Sequence, residues 1–376
     1  MRIGLMGFGT VGQGVYEIAS SREDMQVARV LCLQQLQLPD AQVTQNFEDI
    51  LHDDSIDTVV EVIGGLHPAK EYVVAAMQAG KNVVTANKAM ISHFYDELTS
   101  LAREMGVCLR CTAAVGGGIS WLSELERAGR VETVRQVSGI MNGTCNYILD
   151  SMTRLGIDYQ EALREAQRLG YAEANPSTDV DGLDTWHKIT ISANIAFRTS
   201  LDMNAIPVAG IRNITSEDVE EFTKRALVCK LIATAKISGG EVAAFVQPTL
   251  CPLGEPEAAV PSNFNLITMI GNTSGRHSFF GQGAGRYPTA YNVVQDLVDI
   301  LSGRGFYCSC KGKKTVSNHC RMEYYVRGEA DAWLQANTAG HWGSAVITGP
   351  VSVADMHRYL AEHPDAFIAA LAERKE

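Results

Sequence analysis

Apolar residues at the start of the chain come in short blocks whose spacing changes from one block to the next. "RIGLMG" is an apolar run closed by glycine, the pattern of a buried strand. "VGQGVYEIAS" shifts to helical spacing and "VARVLCL" returns to a strand. The cycle continues with a helix over "NFEDILHD", a strand "TVVEVIGG", a helix over "AKEYVVAAMQAG" and a strand "NVVTA". "FYDELTSLAREMG" and "VCLRCTA" add one more helix and strand. Near-continuous apolar strands alternating with helices predict a parallel sheet covered on both faces, from residue 1 to about 115.

The pattern changes after "AVGGGIS". "VRQVSGIM" predicts a strand, "NGTCNYILDSM" a helix, and "YQEALREAQRLG" an amphipathic helix ended by Gly170. "GLDTWHKITISANIAF" predicts a further helix, free of proline. "CKLIATAKI", "GEVAAFVQPTL" and "FNLITMIGN" predict strands of an antiparallel sheet, and the glycine-rich "GQGAGRYPTA" leads into the helix "AYNVVQDLVDILSG". No internal repeat or low-complexity tract interrupts this order.

Length and composition narrow the class. A chain of 376 residues, 46% hydrophobic and 20% charged, reads as a soluble globular protein of two or three domains. A net charge of -11 argues against nucleic acid or an anionic membrane as the main partner, and the basic run "KGKK" at 311–314 is too short to reverse that. No apolar stretch is long enough to span a bilayer, and "MRIGLMGFG" enters a folded element without the pattern of a signal peptide. Nine scattered cysteines suit reduced thiols in a cytoplasm. The lone C-x-x-C of Cys108 and Cys111 lacks the second pair a metal site needs, and "CSC" at 308–310 is weaker still.

"GFGTVGQG" carries G-x-G-x-x-G at Gly7, Gly9 and Gly12, between a strand and a helix. Gly7 permits the tight turn, Gly9 lets a pyrophosphate approach the backbone, and Gly12 lets helix and strand pack closely. Phe8, Thr10 and Val11 complete the turn, and the helix N-terminus supplies N–H groups to the anion. The fold class is therefore α/β: a Rossmann-type dinucleotide-binding domain, followed by a mixed α+β domain. The second strand runs into Leu33, Gln34 and Gln35, with neither the acid that favours NAD nor a close base that favours NADP. Gly64, Gly65 and Lys88 fall at the carboxyl ends of later strands, where such sheets bind ligands.

"GYAEANPSTDVDGLDTWHK", residues 170–188, gathers Glu173, Asp179, Asp181 and Asp184 ahead of His187 and Lys188. Asp184 and Lys188 are spaced for an i,i+4 ion pair, which is either solvated or set in a cleft. The apolar stripe that continues through Ile191 and Ile195 leaves both readings open. His187 reads as a surface or packing residue, and Asp181 as solvated.

Taken together, "GFGTVG", "VIGG", "VTANK", "GIMNGTCNYIL", "GYAEANPSTDVDGLDTWHK" and "GQGAGRYPTA" resemble homoserine dehydrogenases in order and spacing, over roughly residues 1–305. The resemblance implies a dinucleotide-binding domain at 1–115 completed by about 286–310, and a substrate-binding, catalytic and dimerisation domain at 116–285. The remaining 311–376 would be a small C-terminal module, a reduced relative of the ACT domains that sense amino acids. It implies interconversion of L-homoserine and L-aspartate 4-semialdehyde with NADP or NAD, on the route to threonine, methionine and isoleucine, by a cytoplasmic homodimer or higher homo-oligomer.

The same resemblance makes Lys188 the proton carrier at the substrate oxygen. Glu173 and Asp184 would bind the substrate amino group and hydroxyl, with Asp179 in support and Lys88 between cofactor and substrate. Gly170 and Gly283 would lie against the cofactor, and Gly143 and Thr144 near the substrate. A lysine suits an oxygen that becomes an alkoxide as hydride arrives, and carboxylates suit a substrate ammonium. The segment matching "TAAVGGGIS" in such enzymes carries a glutamate that helps hold a monovalent cation such as sodium. Thr112 stands in that acidic position and Ser120 in place of a proline, which leaves the carbonyls of Val115, Gly117 and Ile119 as cation ligands or as part of a glycine-rich hinge. Two other functions remain open: a Rossmann dehydrogenase of another amino or semialdehyde acid, and a non-catalytic NAD(P)-binding sensor. The sensor reading expects Lys188 or Asp184 to be missing, and both are present.

Overall fold

The computed structural model describes residues 1–238, 240–304, 310 and 312–372. Along the chain come β1 (Arg2–Met6), α1 (Thr10–Ser20), β2 (Gln26–Leu31), β3 (Gln42–Thr44), α2 (Glu48–Leu51), β4 (Thr58–Glu61), α3 (Ala69–Gln78), β5 (Asn82–Thr85), α4 (Lys88–Met105), β6 (Leu109–Arg110) and α5 (Trp121–Ala128). Next are β7 (Val134–Ile140), α6 (Gly143–Leu155), α7 (Tyr159–Arg168), α8 (Ser177–Val180), α9 (Leu183–Phe197) and α10 (Ser216–Thr223). They are followed by β8 (Leu227–Ser238), β9 (Glu241–Pro252), β10 (Phe264–Gly271), β11 (Arg276–Gln282) and α11 (Arg286–Leu301). The C-terminal segment holds β12 (Arg321–Met322), β13 (Tyr324–Arg327), α12 (Ala332–Ala336), β14 (Thr338–Trp342), β15 (Ala345–Thr348), β16 (Val351–Ser352), α13 (Val353–Glu362) and β17 (Phe367–Leu371).

Two compact units divide these elements: 1–132 with 190–200 and 281–313, and 133–189 with 201–280 and 314–376. The first unit holds a parallel sheet in the order β3-β2-β1-β4-β5-β6. The order reverses at β1 and β4, which opens a crevice beyond their carboxyl ends, the place where open α/β sheets bind ligands. Its core packs Ile3, Leu5 and Val30 of the sheet against Val15 and Ala19 of α1 and Ala290, Val293 and Leu297 of α11. The late helix α11 thus packs into the core of the first unit.

Three details depart from the apolar pattern. The predicted strand "VCLRCTA" shrinks to Leu109–Arg110, because Cys111 leaves the extended region at φ -147° and ψ 33° and a 3-10 turn follows over Thr112–Ala114. α4 begins at Lys88, well ahead of the predicted "FYDELTSLAREMG", because the Asn87 side chain caps it by accepting from the Met90 N–H. It is broken at Phe94, whose φ of -117° is not helical. α5 was not legible as a helix, although Trp121, Leu122 and Leu125 give it a buried face.

The second unit is built on a nine-stranded sheet in the order β11-β10-β7-β8-β9-β17-β13-β15-β14. β8 and β9 form a long antiparallel hairpin, in register from Leu227 opposite Pro252 to Ser238 opposite Glu241. β7 lies between β10 and β8, antiparallel to both. The C-terminal segment is part of this sheet rather than a module by itself. β17 adds parallel to β9, Ala370 opposite Thr249, and β13 pairs antiparallel with β17 and β15. Tyr324, Val326, Leu334, Met356, Tyr359 and Ile368 form its own small core.

Candidate functional site

The glycine turn between β1 and α1 has the geometry of a phosphate cradle. Gly7 sits at φ +101°, and a Cβ there would lie 2.8 Å from the Val62 carbonyl oxygen. A Cβ on Gly12 would come within 2.1 Å of the Gly7 oxygen, so any side chain would push α1 off the turn. A Cβ on Gly9, by contrast, meets nothing within 4 Å. Gly9 is the N-cap of α1 and supplies no side-chain cap, so the first turn presents backbone N–H groups beside exposed Gly9 and Thr10 and half-buried Phe8 and Val11. These residues fit the diphosphate of a dinucleotide. At the end of β2, Leu33 is 84% exposed and its carbonyl accepts from Gln45 Nε2 at 2.9 Å.

Glu61, the last residue of β4, is fully buried. Its Oε1 accepts from the N–H groups of Ile63 and Gly64 at 2.8 and 3.2 Å, and its Oε2 accepts from Thr85 Oγ1 at 2.5 Å. Burial pushes this carboxyl up, while those donors pull it back down. Asn87 Nδ2 donates to the Gly65 carbonyl at 2.7 Å, so the loops bearing Gly64 and Lys88 are tied together. Gly64 is exposed at φ +82°, and Lys88 is half-buried at the start of α4. Glu61 was overlooked in the sequence; an acid inside an otherwise apolar strand was its signal.

In the second unit the acidic motif folds around one lysine. Lys188, on α9, is 7% exposed; its ammonium donates to the Met141 carbonyl at 2.6 Å and pairs with Asp184 Oδ2 at 2.7 Å. Asn142 Nδ2 donates to the same Asp184 oxygen at 2.8 Å and to Asp179 Oδ1 at 2.6 Å. The Asn142 side-chain Oδ1 meanwhile caps α6 by accepting from the Cys145 N–H at 2.8 Å. One side chain thus fixes the helix start and two carboxylates. Asn142 was quoted in its motif but given no part; an asparagine directly before a glycine-initiated helix was the available signal.

Asp179 is held up chiefly by burial and secondarily by the negative charge of Asp184, against the pull of the Asn142 donor and of Lys188. Thr144 donates to the Tyr171 carbonyl at 2.6 Å, which pins the start of α6 to the 170–188 segment. Gly143 opens that helix, where a Cβ would lie 2.5 Å from the Asn263 carbonyl oxygen. The Cys145 thiol, fully enclosed and beside three aspartates, is pushed well above its ordinary range and is no nucleophile. Gly170 ends the α7 segment at φ +76°, with open space where a side chain would go. The Glu173 side chain is exposed and has no hydrogen-bond or ion-pair partner among the described residues.

Comparison with known proteins decides the family. Residues 7–111 match the model for the NAD-binding domain of homoserine dehydrogenase, and residues 121–298 match the model for homoserine dehydrogenase. The homoserine dehydrogenase of Bacillus subtilis is 38% identical over 315 residues, covering 80% of this chain and 73% of that protein. That of Corynebacterium glutamicum is 37% identical over 334 residues, covering 84% and 75%. The crystal structure of a homoserine dehydrogenase from Thiobacillus denitrificans superposes with a TM-score of 0.86 at 28% identity, covering 99% of this chain and 98% of that one. The chain belongs to the homoserine dehydrogenase family. It is accordingly a nicotinamide-dependent oxidoreductase acting on a CH–OH group.

Asp181 is not simply solvated: Arg212 grips it through two bonds of 2.8 Å. His187 lies half-buried beside Trp186, ring centres 5.4 Å apart. Cys108 and Cys111 are free thiols. The first two residues of "CSC" and the first of "KGKK" fall outside the described residues. No helix among the described residues is long and apolar enough to cross a membrane.

The glycine-rich loop Thr112 to Ser120 belongs to the first unit. Thr112 donates to Asp296 through its N–H at 2.8 Å and its hydroxyl at 2.7 Å. The Gly117 carbonyl accepts from Asn292 Nδ2 at 2.5 Å, and the Ile119 carbonyl accepts from the Trp121 N–H at 2.7 Å. Gly117 itself, at φ +52°, would place a Cβ 2.5 Å from the Gly283 carbonyl. Ser120 Oγ donates to Asn292 Oδ1 at 2.9 Å, which orients that amide.

Proposed function

We propose that this chain interconverts L-homoserine and L-aspartate 4-semialdehyde, with Lys188 carrying the proton at the substrate oxygen. The observation that carries the proposal is the buried ammonium of Lys188, held at 2.7 Å by Asp184 and at 2.6 Å by the Met141 carbonyl. A lysine kept out of bulk water can exchange its proton with one bound oxygen rather than with solvent.

When bound, the nicotinamide would supply hydride to the aldehyde carbon or accept it from the alcohol carbon. In the reducing direction the Lys188 ammonium donates its proton to the oxygen as negative charge develops there; in the oxidising direction the neutral amine takes the hydroxyl proton. Asp184 fixes the direction in which the lysine points and, with Glu173, faces the hydroxyl and ammonium of the substrate. Asp179 adds negative charge near the ammonium, and Gly143 and Thr144 shape the wall. Gly7, Phe8, Gly9, Thr10, Val11 and Gly12 would hold the diphosphate of the cofactor, and Gly64, Gly170, Gly283 and Lys88 would be further cofactor-binding residues.

A spectrophotometric assay of nicotinamide turnover tests this, with L-homoserine and other hydroxy amino acids as substrates and both NAD and NADP. Turnover with homoserine above all others is expected. Absence of turnover with homoserine and either cofactor would remove the proposal in favour of another substrate or of a sensor.

A further inference from the structure

We infer that the Thr112–Ser120 loop is held by its own side chains and works without the monovalent cation that its family employs there. A sodium or potassium ion in such a loop needs oxygen ligands and a nearby negative charge. Here the acidic position is Thr112, which donates to Asp296 through both its backbone N–H and its hydroxyl. Asp296 is fully buried, and its charge is already balanced by Arg110, whose Nε donates to it at 2.8 Å. The same guanidinium pairs with Asp299 at 2.8 Å. Both carboxylates beside the loop thus share one fixed positive partner, Arg110, which is itself 2% exposed.

Two of the three carbonyls, those of Gly117 and Ile119, are engaged in the same way. Gly117 accepts from the Asn292 amide and Ile119 accepts from the Trp121 N–H. A hydrogen-bond donor presents the positive end of a dipole to an oxygen that a cation would coordinate, which weakens that oxygen as a ligand. Asn292 is fully buried, and Ser120 fixes its orientation by donating to its Oδ1. Ser120 can make that bond because it stands where relatives carry proline, which has no hydroxyl. The two departures in the loop, at 112 and 120, thus serve one purpose. Thr112 hands the loop start to Asp296, and Ser120 hands its end to Asn292.

The test compares the whole enzyme in sodium, potassium and tetramethylammonium chloride at constant ionic strength, following both the thermal unfolding midpoint and nicotinamide turnover. The midpoint requires no assumption about substrate, so it reads the loop even if the proposed reaction is wrong. The same midpoint and the same turnover in all three salts are expected. A saturable rise of either in sodium or potassium over tetramethylammonium would overturn the inference, since an ion that binds the folded state must stabilise it. Asn292→Ala is expected to lower the midpoint by several degrees equally in every salt. An unchanged midpoint in that variant would refute the role given to the amide.

Discussion

Each unit contains a buried carboxylate gripped by a buried cation, Asp296 by Arg110 and Asp184 by Lys188, and the two pairs differ in the cation used. In the first, Arg110 reaches Asp296, Asp299, the Arg304 carbonyl and Ser123 through separate N–H groups at 2.8 to 3.0 Å. In the second, Asp184 meets Lys188. A guanidinium is a planar fork whose charge is permanent, so it can tie several elements together but cannot exchange a proton. An ammonium is a point charge whose proton can leave. The arginine pair is suited to structure, and the lysine pair to chemistry. Their burial is nearly identical, so burial of an ion pair alone does not identify a reactive centre.

The comparison is broken most severely at the lysine. Lys188→Ala is expected to lower kcat by about a thousandfold, the scale of a lost general acid–base group. Its circular dichroism and its affinity for the nicotinamide cofactor should stay close to the parent. Arg110→Ala should do the opposite. Leaving Asp296 buried and unpaired is expected to cost about 3–5 kcal/mol of stability in denaturant titration, with kcat preserved in the fraction that stays folded.

His357 sharpens the contrast as a buried base with no carboxylate partner in its shift. Burial lowers it from 6.5 to about 4, and its Nε2 lies 3.0 Å from Gln247 Oε1. The folded state then binds fewer protons than the unfolded chain between those values, so stability rises with pH across that window and is lost as pH falls from about 6.5 toward 4. The full change is about 3 kcal/mol, and His357→Gln should remove that part of the slope in unfolding titrations across the range. The smallest effect is expected at exposed Glu173. Glu173→Gln should raise KM for homoserine about tenfold through loss of one charged hydrogen bond, leaving kcat and stability nearly unchanged. An unaltered KM would remove Glu173 from the substrate site.

Much of the first unit was legible because its apolar blocks and glycine spacing are local signals. The turn at Gly7, Gly9 and Gly12 needed no tertiary information. A second glycine-rich stretch, "AVGGGIS", looks similar in sequence yet behaves differently. Gly9 opens onto empty space, whereas Gly117 and Gly118 pack against Gly283 and Pro288. Glycine serves close approach in both, and only the fold reveals whether a ligand or the chain itself approaches. Asn142 and Glu61 escaped notice for the same reason: each acts on groups far along the chain, Asp179 and Asp184 for one and Thr85 for the other. The C-terminal segment was read as a separate module because strand-like starts say nothing about which sheet edge they join. The pairing of β17 with β9 is long-range, and no local pattern announces it.

The most direct measurement of the central claim is turnover of L-homoserine by Lys188→Arg at saturating cofactor. Charge and approximate length are kept, while the proton is held too tightly to be exchanged. The account predicts that turnover falls by at least about a hundredfold while cofactor affinity is retained. Turnover within a few-fold of the parent would contradict it, for position 188 would then supply charge and not a proton.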